Sequence, residues 1–204
     1  MSMSVVKADA RSKLLDAALM VIRKKGYSAT TVDELCAAAG VTKGAFFHHF
    51  KSKEELGVAA VDHWSEMTGG MFAAASYHEP ADPLERVLAY LELRKALLAG
   101  EVAEFTCVAG TMVQETFDTS EAIREACDRS ISGHAATLEA DIAAAVHARG
   151  MTPEWTPASL ALHTQAVIQG AFILAKAKGG PHVAIDSIDH LIRYIKLLFG
   201  QRNS

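Results

Sequence analysis

Three helix starts are crowded into the stretch TTVDELCAAAGVTKGAFFHHFKSKEEL, and no other feature of the chain restricts its folding so tightly. Thr31 with Glu34 three residues on forms a capping box, in which side-chain oxygens satisfy the N–H groups that an opening helix leaves unpaired. Gly40 stops that helix, because glycine takes the left-handed backbone of a helix end without steric cost. Thr42 caps the next helix, and Ser52 with Glu55 is a second capping box opening a third. Between these signals there is room for two short helices joined by a tight turn, the geometry of a helix-turn-helix unit.

The second of those helices has two faces. Phe46 and Phe50 turn inward with Val32, Leu35, Ala39 and Val41, onto a preceding helix from Asp9 to Lys25 in which Leu14, Leu15, Ala18, Leu19 and Ile22 recur at helical spacing. Lys43, Gly44, Ala45, Phe47, His48 and His49 are then left facing outward. One face docks and the other enters a major groove, where side chains reach base edges and phosphates. Thr31 and Thr42, at helix starts with exposed N–H groups, are natural phosphate contacts. Lys53 adds a cation to the first turn of the next helix, unfavourable for folding but suited to a phosphate. Charge agrees: residues 1–60 hold nine Lys/Arg against six Asp/Glu, whereas the remainder hold eleven against eighteen. The first segment is thus fitted to a polyanion, although the whole chain carries a net charge of −4.

These residues, over about 9–58, resemble the DNA-binding domain of the tetracycline-repressor (TetR) family of bacterial regulators, with capping boxes, turn glycine, "KG", aromatic pair, "HHF" and "SKEEL" in the family's order. The resemblance implies that Lys43, Gly44 and Ala45 touch bases and backbone, that His48 and His49 touch base edges or phosphates, and that Lys53 holds a phosphate. Phe47 departs from the pattern, since members commonly carry tyrosine there. The departure removes a phosphate hydrogen bond and keeps apolar contact, for instance with thymine methyl groups. The family also implies an all-α homodimer on double-stranded operator DNA, with a small-molecule effector bound in the C-terminal domain.

The rest of the chain reads as helix. Half its residues are apolar and only five are proline. A helix opens at Ser52 and passes Met67; the pair Gly69 and Gly70 marks its end; another starts at Asp82 and Pro83 and runs to about Leu98. EVAEFTCVAGTMVQETF reads as one buried helix, and Asp118 to about Arg149 as one long helix. Thr156 and Pro157 open a helix with no charge from Trp155 to Ala175, and IDSIDHLIRYIKLLFG closes the fold. The expected division is residues 1–56 for DNA binding, with the start of a connecting helix, and 57–204 for effector binding and dimerisation.

A helix that is apolar almost all round needs cover on every side, which a partner subunit supplies. Its expected interface is Val167, Gly170, Ala171 and Leu174 with Ile188, Leu191, Ile192, Ile195 and Phe199. Large or polar residues on oily stretches are the candidate effector-pocket lining, with Cys107 among them: Phe105, Met112, Phe117, His134 and Trp155, then His163, Gln165, Gln169 and Phe172. Gln165 and Gln169, one turn apart, can instead pair across the dimer axis. Cys107 lies in CVAGTMVQE, similar to a stretch of family members that sense electrophiles through a cysteine. Its anionic neighbours Glu101 and Glu104 oppose a thiolate and favour a buried small hydrophobe.

Three scattered cysteines without CxxC spacing imply neither disulfides nor a zinc cluster, and a reducing cytoplasm follows. No signal peptide is visible, and the uncharged stretch, interrupted by His163, Gln165 and Gln169, reads as core rather than membrane span. No HExxH, GxSxG, P-loop or dinucleotide fingerprint is present, so catalytic residues, metal and cofactor are not expected. The expectation is a transcriptional regulator, a repressor released by its effector. An activator or effector-less regulator of the same fold is the alternative, and an all-α enzyme a remote one.

Overall fold

The computed structural model describes residues 9–201. Among these residues are ten α-helices, one 3₁₀ turn (Ser76–His78) and no strand, the all-α class expected. They are α1 (Ala10–Lys25), α2 (Val32–Ala39), α3 (Lys43–His49), α4 (Lys53–Ala73), α5 (Pro83–Ala96), α6 (Val102–Phe105), α7 (Val108–Thr116), α8 (Glu121–Ala148), α9 (Pro157–Lys178) and α10 (His182–Leu198). The chain forms two compact units. Among the described residues, the first is 9–67 together with Val108–Cys127, and the second is Thr68–Cys107 together with 128–201. Sequence alone draws one boundary at 56/57; the units divide inside α4 and α8 and between Cys107 and Val108.

In the first unit the expected local signals act as read. The Thr31 hydroxyl accepts from the Glu34 N–H at 3.2 Å, and the Glu34 carboxylate accepts from the Thr31 N–H at 2.9 Å. Gly40 ends α2 at φ 63°, a left-handed position that disfavours a side chain. At α4 half of the expected box forms: Ser52 Oγ accepts from the Glu55 N–H at 3.1 Å, while the Glu55 carboxylate reaches one residue further, to the Lys51 N–H at 2.8 Å. Leu14, Ala18, Ile22, Leu35, Phe46, Phe50 and Leu56 are buried together with Met112 of α7 and Ile123 of α8. Burying each large side chain contributes about 1.5–3 kcal/mol, enough to hold a seven-residue helix that would not form alone.

Two expectations about helix ends fail. Gly69 and Gly70 do not end α4, which continues to Ala73. Two glycines cost about 2 kcal/mol of helix propensity, which the burial of Phe72, about 1.5–3 kcal/mol, offsets. The single helix read from EVAEF to QETF breaks at Thr106, whose backbone is extended (φ −83°, ψ 156°). Apolar residues on the two sides of the break serve different cores. Val102 and Phe105 pack on the core of the second unit, whereas Val108, Ala109 and Met112 are buried in the first.

The second unit packs α5, α9, α10 and the later part of α8 around Leu84, Val87, Leu91, Ile142, Ile168, Ile188 and Ile195. Asp82 caps α5, accepting from the Leu84 N–H at 2.9 Å, and Thr156 with Ser159 caps α9. Arg149 donates to both Asp82 carboxylate oxygens, at 3.0 and 2.7 Å, and Arg86 to Asp141 at 2.7 Å. By length and hydropathy α9 could cross a membrane, yet Leu160, Ala161, Thr164, Gln165, Ile168, Ala171, Phe172 and Ala175 line one buried side of it in this core.

Candidate functional site

The outer face of α3 is built from below. Phe46 is fully buried and Phe50 nearly so, their ring centroids 5.9 Å apart. Phe47 stands edge-on to Phe46 at 5.1 Å and is 53% exposed, a large apolar ring held in water. Thr42 Oγ1 accepts from the Ala45 N–H at 3.1 Å. Thr31, Thr42, Lys43, Gly44, Phe47 and His48 are exposed, and Ala45 and His49 half-buried, so none of the expected outward set is packed away in the core. Lys43 pairs with Asp33 of α2 at 2.9 Å, which raises the Lys43 pKa and keeps the ammonium charged. Nothing in the fold requires the glycine at 44, since a Cβ there would meet only Thr42 Oγ1 at 3.7 Å. His48 and His49 stack edge to face at 4.9 Å, and among the described residues no three metal-ligating side chains converge.

Lys53 has a role that sequence did not show. Its ammonium donates to the Tyr27 carbonyl at 3.1 Å and the Thr30 carbonyl at 3.0 Å, and it lies 4.3 Å from the Tyr27 ring centroid. It therefore clips the α1–α2 loop that delivers Thr31. From the other side the Glu115 carboxylate of α7 accepts the Tyr27 N–H at 3.1 Å and the Ser28 N–H at 2.7 Å. Lys25 pairs with Glu34, and this hydrogen bond leads the causes that hold the Glu34 carboxyl down to about 2.

The residues expected to line a pocket separate into groups. Met112 and Phe117 belong to the first unit, the former fully buried and the latter 60% exposed. His163 is exposed and stacks on Tyr194 at 5.4 Å, Trp155 packs on Phe199 at 5.8 Å, and Cys107 and Gln169 are half-buried. His134, Gln165, Phe172 and Phe105 do come together in the second unit, around partners that sequence left unmarked. Gln165 donates to the Tyr90 hydroxyl at 3.3 Å, and that hydroxyl is hydrogen-bonded to His134 Nε2 at 2.8 Å. Gln165 is thereby a residue of the protomer's own core. Phe72 packs on His134 at 4.6 Å, and Phe105 on Phe172 at 6.3 Å. Burial first, and then the Arg94 charge, hold the His134 pKa down to about 4, so the ring is neutral at pH 7.

The expected dimer residues divide in the same way. Ala171, Ile188, Leu191, Ile192, Ile195 and Phe199 are buried in the protomer's own core, because the main stripe of α10 faces inward. Val167 and Gly170 are half-buried, and Leu174 is exposed. The open face of α9 and α10 carries Leu162, Ile173, Leu174, Tyr194 and Leu197, each 43–63% exposed.

A short second helix anchored by two phenylalanines, with its polar face open and a larger helical unit following, defines a helix-turn-helix regulator. The model of bacterial regulatory proteins of the tetR family matches residues 14–60, and that of the LmrA/YxaF-like transcriptional regulator C-terminal domain matches 83–182. The chain is 30% identical over 173 residues to the transcriptional regulator BetI of Rhizobium meliloti, covering 84% of this chain and 80% of that one. To the regulator LmrA of Bacillus subtilis it is 32% identical over 133 residues, covering 64% and 70%. It spans about half, 48%, of the regulator AcuR of Cereibacter sphaeroides. Reduced NemR of Escherichia coli has the same fold, with a TM-score of 0.78 at 24% identity, over 93% of this chain and 97% of that one. The chain belongs to the TetR family of transcriptional regulators.

Proposed function

We propose that the protein acts in the cytoplasm as a homodimeric repressor, reading a palindromic operator with two copies of α3 and leaving it when a small, mostly apolar effector occupies the second unit. The observation that carries this reading is the outer face of α3. A glycine in the first turn costs about 1 kcal/mol relative to alanine, and the fold itself does not call for it. Close approach of a phosphate backbone does. Thr31 and Thr42 lie at helix starts beside it, Lys43 supplies charge, and Phe47 offers an apolar ring to thymine methyl groups. A second copy covers the open face of α9 and α10. The effector acts only through its difference in affinity between the two states of the dimer.

The test is fluorescence anisotropy with DNA from upstream of the protein's own gene, titrated at several salt concentrations. Affinity is expected to fall steeply with salt, in proportion to the phosphates neutralised. Lys43→Ala or His49→Ala should change which operator variants are preferred. Equal binding to all fragments at low ionic strength would overturn the reading.

A further inference from the structure

On α5, Tyr90 and Arg94 are one turn apart and share a face. Arg94 lies over two rings of the second unit, its guanidinium carbon 5.3 Å from the Phe72 centroid and 5.8 Å from that of Phe172. Both phenylalanines are at most 6% exposed. Three other cations of this unit meet carboxylates: Arg86 meets Asp141, Lys95 meets Asp189 and Glu92, and Arg149 meets Asp82. Arg94 meets none among the described residues, and its N–H donors find no acceptor there. The C-terminal end of α5 does attract cations, but Lys95 already supplies that charge on the same turn. Dipole attraction also gives no reason to hold a second cation over aromatic faces.

A guanidinium offers a planar fork of donors that matches a carboxylate in two parallel hydrogen bonds. Phe72, Phe105 and Phe172 supply flat apolar walls beside that fork. The Tyr90–His134–Gln165 chain supplies neutral polar atoms, and no carboxylate pairs with Arg94 to compete. We propose that this cluster is an acid-recognition site: it takes a small aromatic or unsaturated carboxylic acid, with the carboxylate on Arg94 and the apolar body against Phe72 and Phe172. The inference rests on the reading that the second unit holds the effector, and names that effector's chemical class.

The experiment is isothermal titration of the full-length protein with benzoate, cinnamate and 2-naphthoate, each beside its neutral primary amide. The variants are Arg94→Met, Arg94→Lys and, as a neighbouring control, Lys95→Met. Each is first checked for native helicity and operator binding, and Arg94→Lys serves if Arg94→Met does not fold. At least one acid should bind wild type about tenfold or more tighter than its amide, the least that a charge-assisted pair contributes. Arg94→Met should remove that preference while leaving the amide within about twofold, Arg94→Lys should reduce it, and Lys95→Met should leave it intact. Amides binding as tightly as acids, or acids binding Arg94→Met as well as wild type, would overturn acid recognition while sparing the effector site. If neither series binds a protein that still binds operator, both the acid site and the effector reading fall.

Discussion

The His134 imidazole is hydrogen-bonded to the Tyr90 hydroxyl at 2.8 Å, among groups that make its charged form costly. Its pKa is about 4 in the folded protein against 6.5 ordinarily, burial being the larger cause and the Arg94 cation the second. Because the folded value is the lower one, the unfolded chain binds the proton first as pH falls. The contribution is complete above pH 6.5 and is lost as pH drops toward 4, a loss on the order of 3 kcal/mol. Urea midpoints at pH 7.5 and about 5 should therefore differ more in wild type than in His134→Asn; equal differences would remove His134 as the cause. In sequence His134 and Gln165 stood out as polar residues on oily stretches. Arg94, Tyr90 and Phe72 did not, since each has an ordinary place on an amphipathic helix and acquires meaning only when α4, α5, α8 and α9 bring them together.

At the scale of elements, the motif from Thr31 to Leu56 was legible because its starts and stops are local backbone chemistry. α7 was not, because what separates it from α6 is the destination of its side chains and not a proline or glycine at the break. Its Glu115 holds two N–H groups of the α1–α2 loop while Lys53 of α4 holds two carbonyls of the same loop. Gly26 enters that loop at φ 92°, where a side chain would be strained and would overlap the Glu115 carboxylate. Glu115→Ala should lower stability by about 1–2 kcal/mol, and Lys53→Met by a similar amount, counting two hydrogen bonds and the Tyr27 ring contact. Thermal unfolding without DNA checks this. A lysine kept for phosphate alone would leave the melting temperature of Lys53→Met unchanged and lower only operator affinity.

For the molecule as a whole, the uncharged stretch of α9 asks for cover, but periodicity does not say which side the protomer covers for itself. α10 gives its isoleucine stripe to its own core and leaves Tyr194 and Leu197 outside, beside Leu162, Ile173 and Leu174 of α9. Leu174→Glu places a charge in the open face and spares the core. Sedimentation should show a dimer for wild type and a monomer for the variant, with operator affinity falling in parallel. A variant that sediments with wild type would move the interface elsewhere. The first unit, finally, is not one continuous length of chain: a Cβ on Gly57 would come within 3.3 Å of Met112 and Ile123, which arrive from Val108–Cys127. Grafting this operator-reading head onto a foreign sensor by splicing after α4 would deliver a head with one wall missing, so a working chimera has to import that second stretch too.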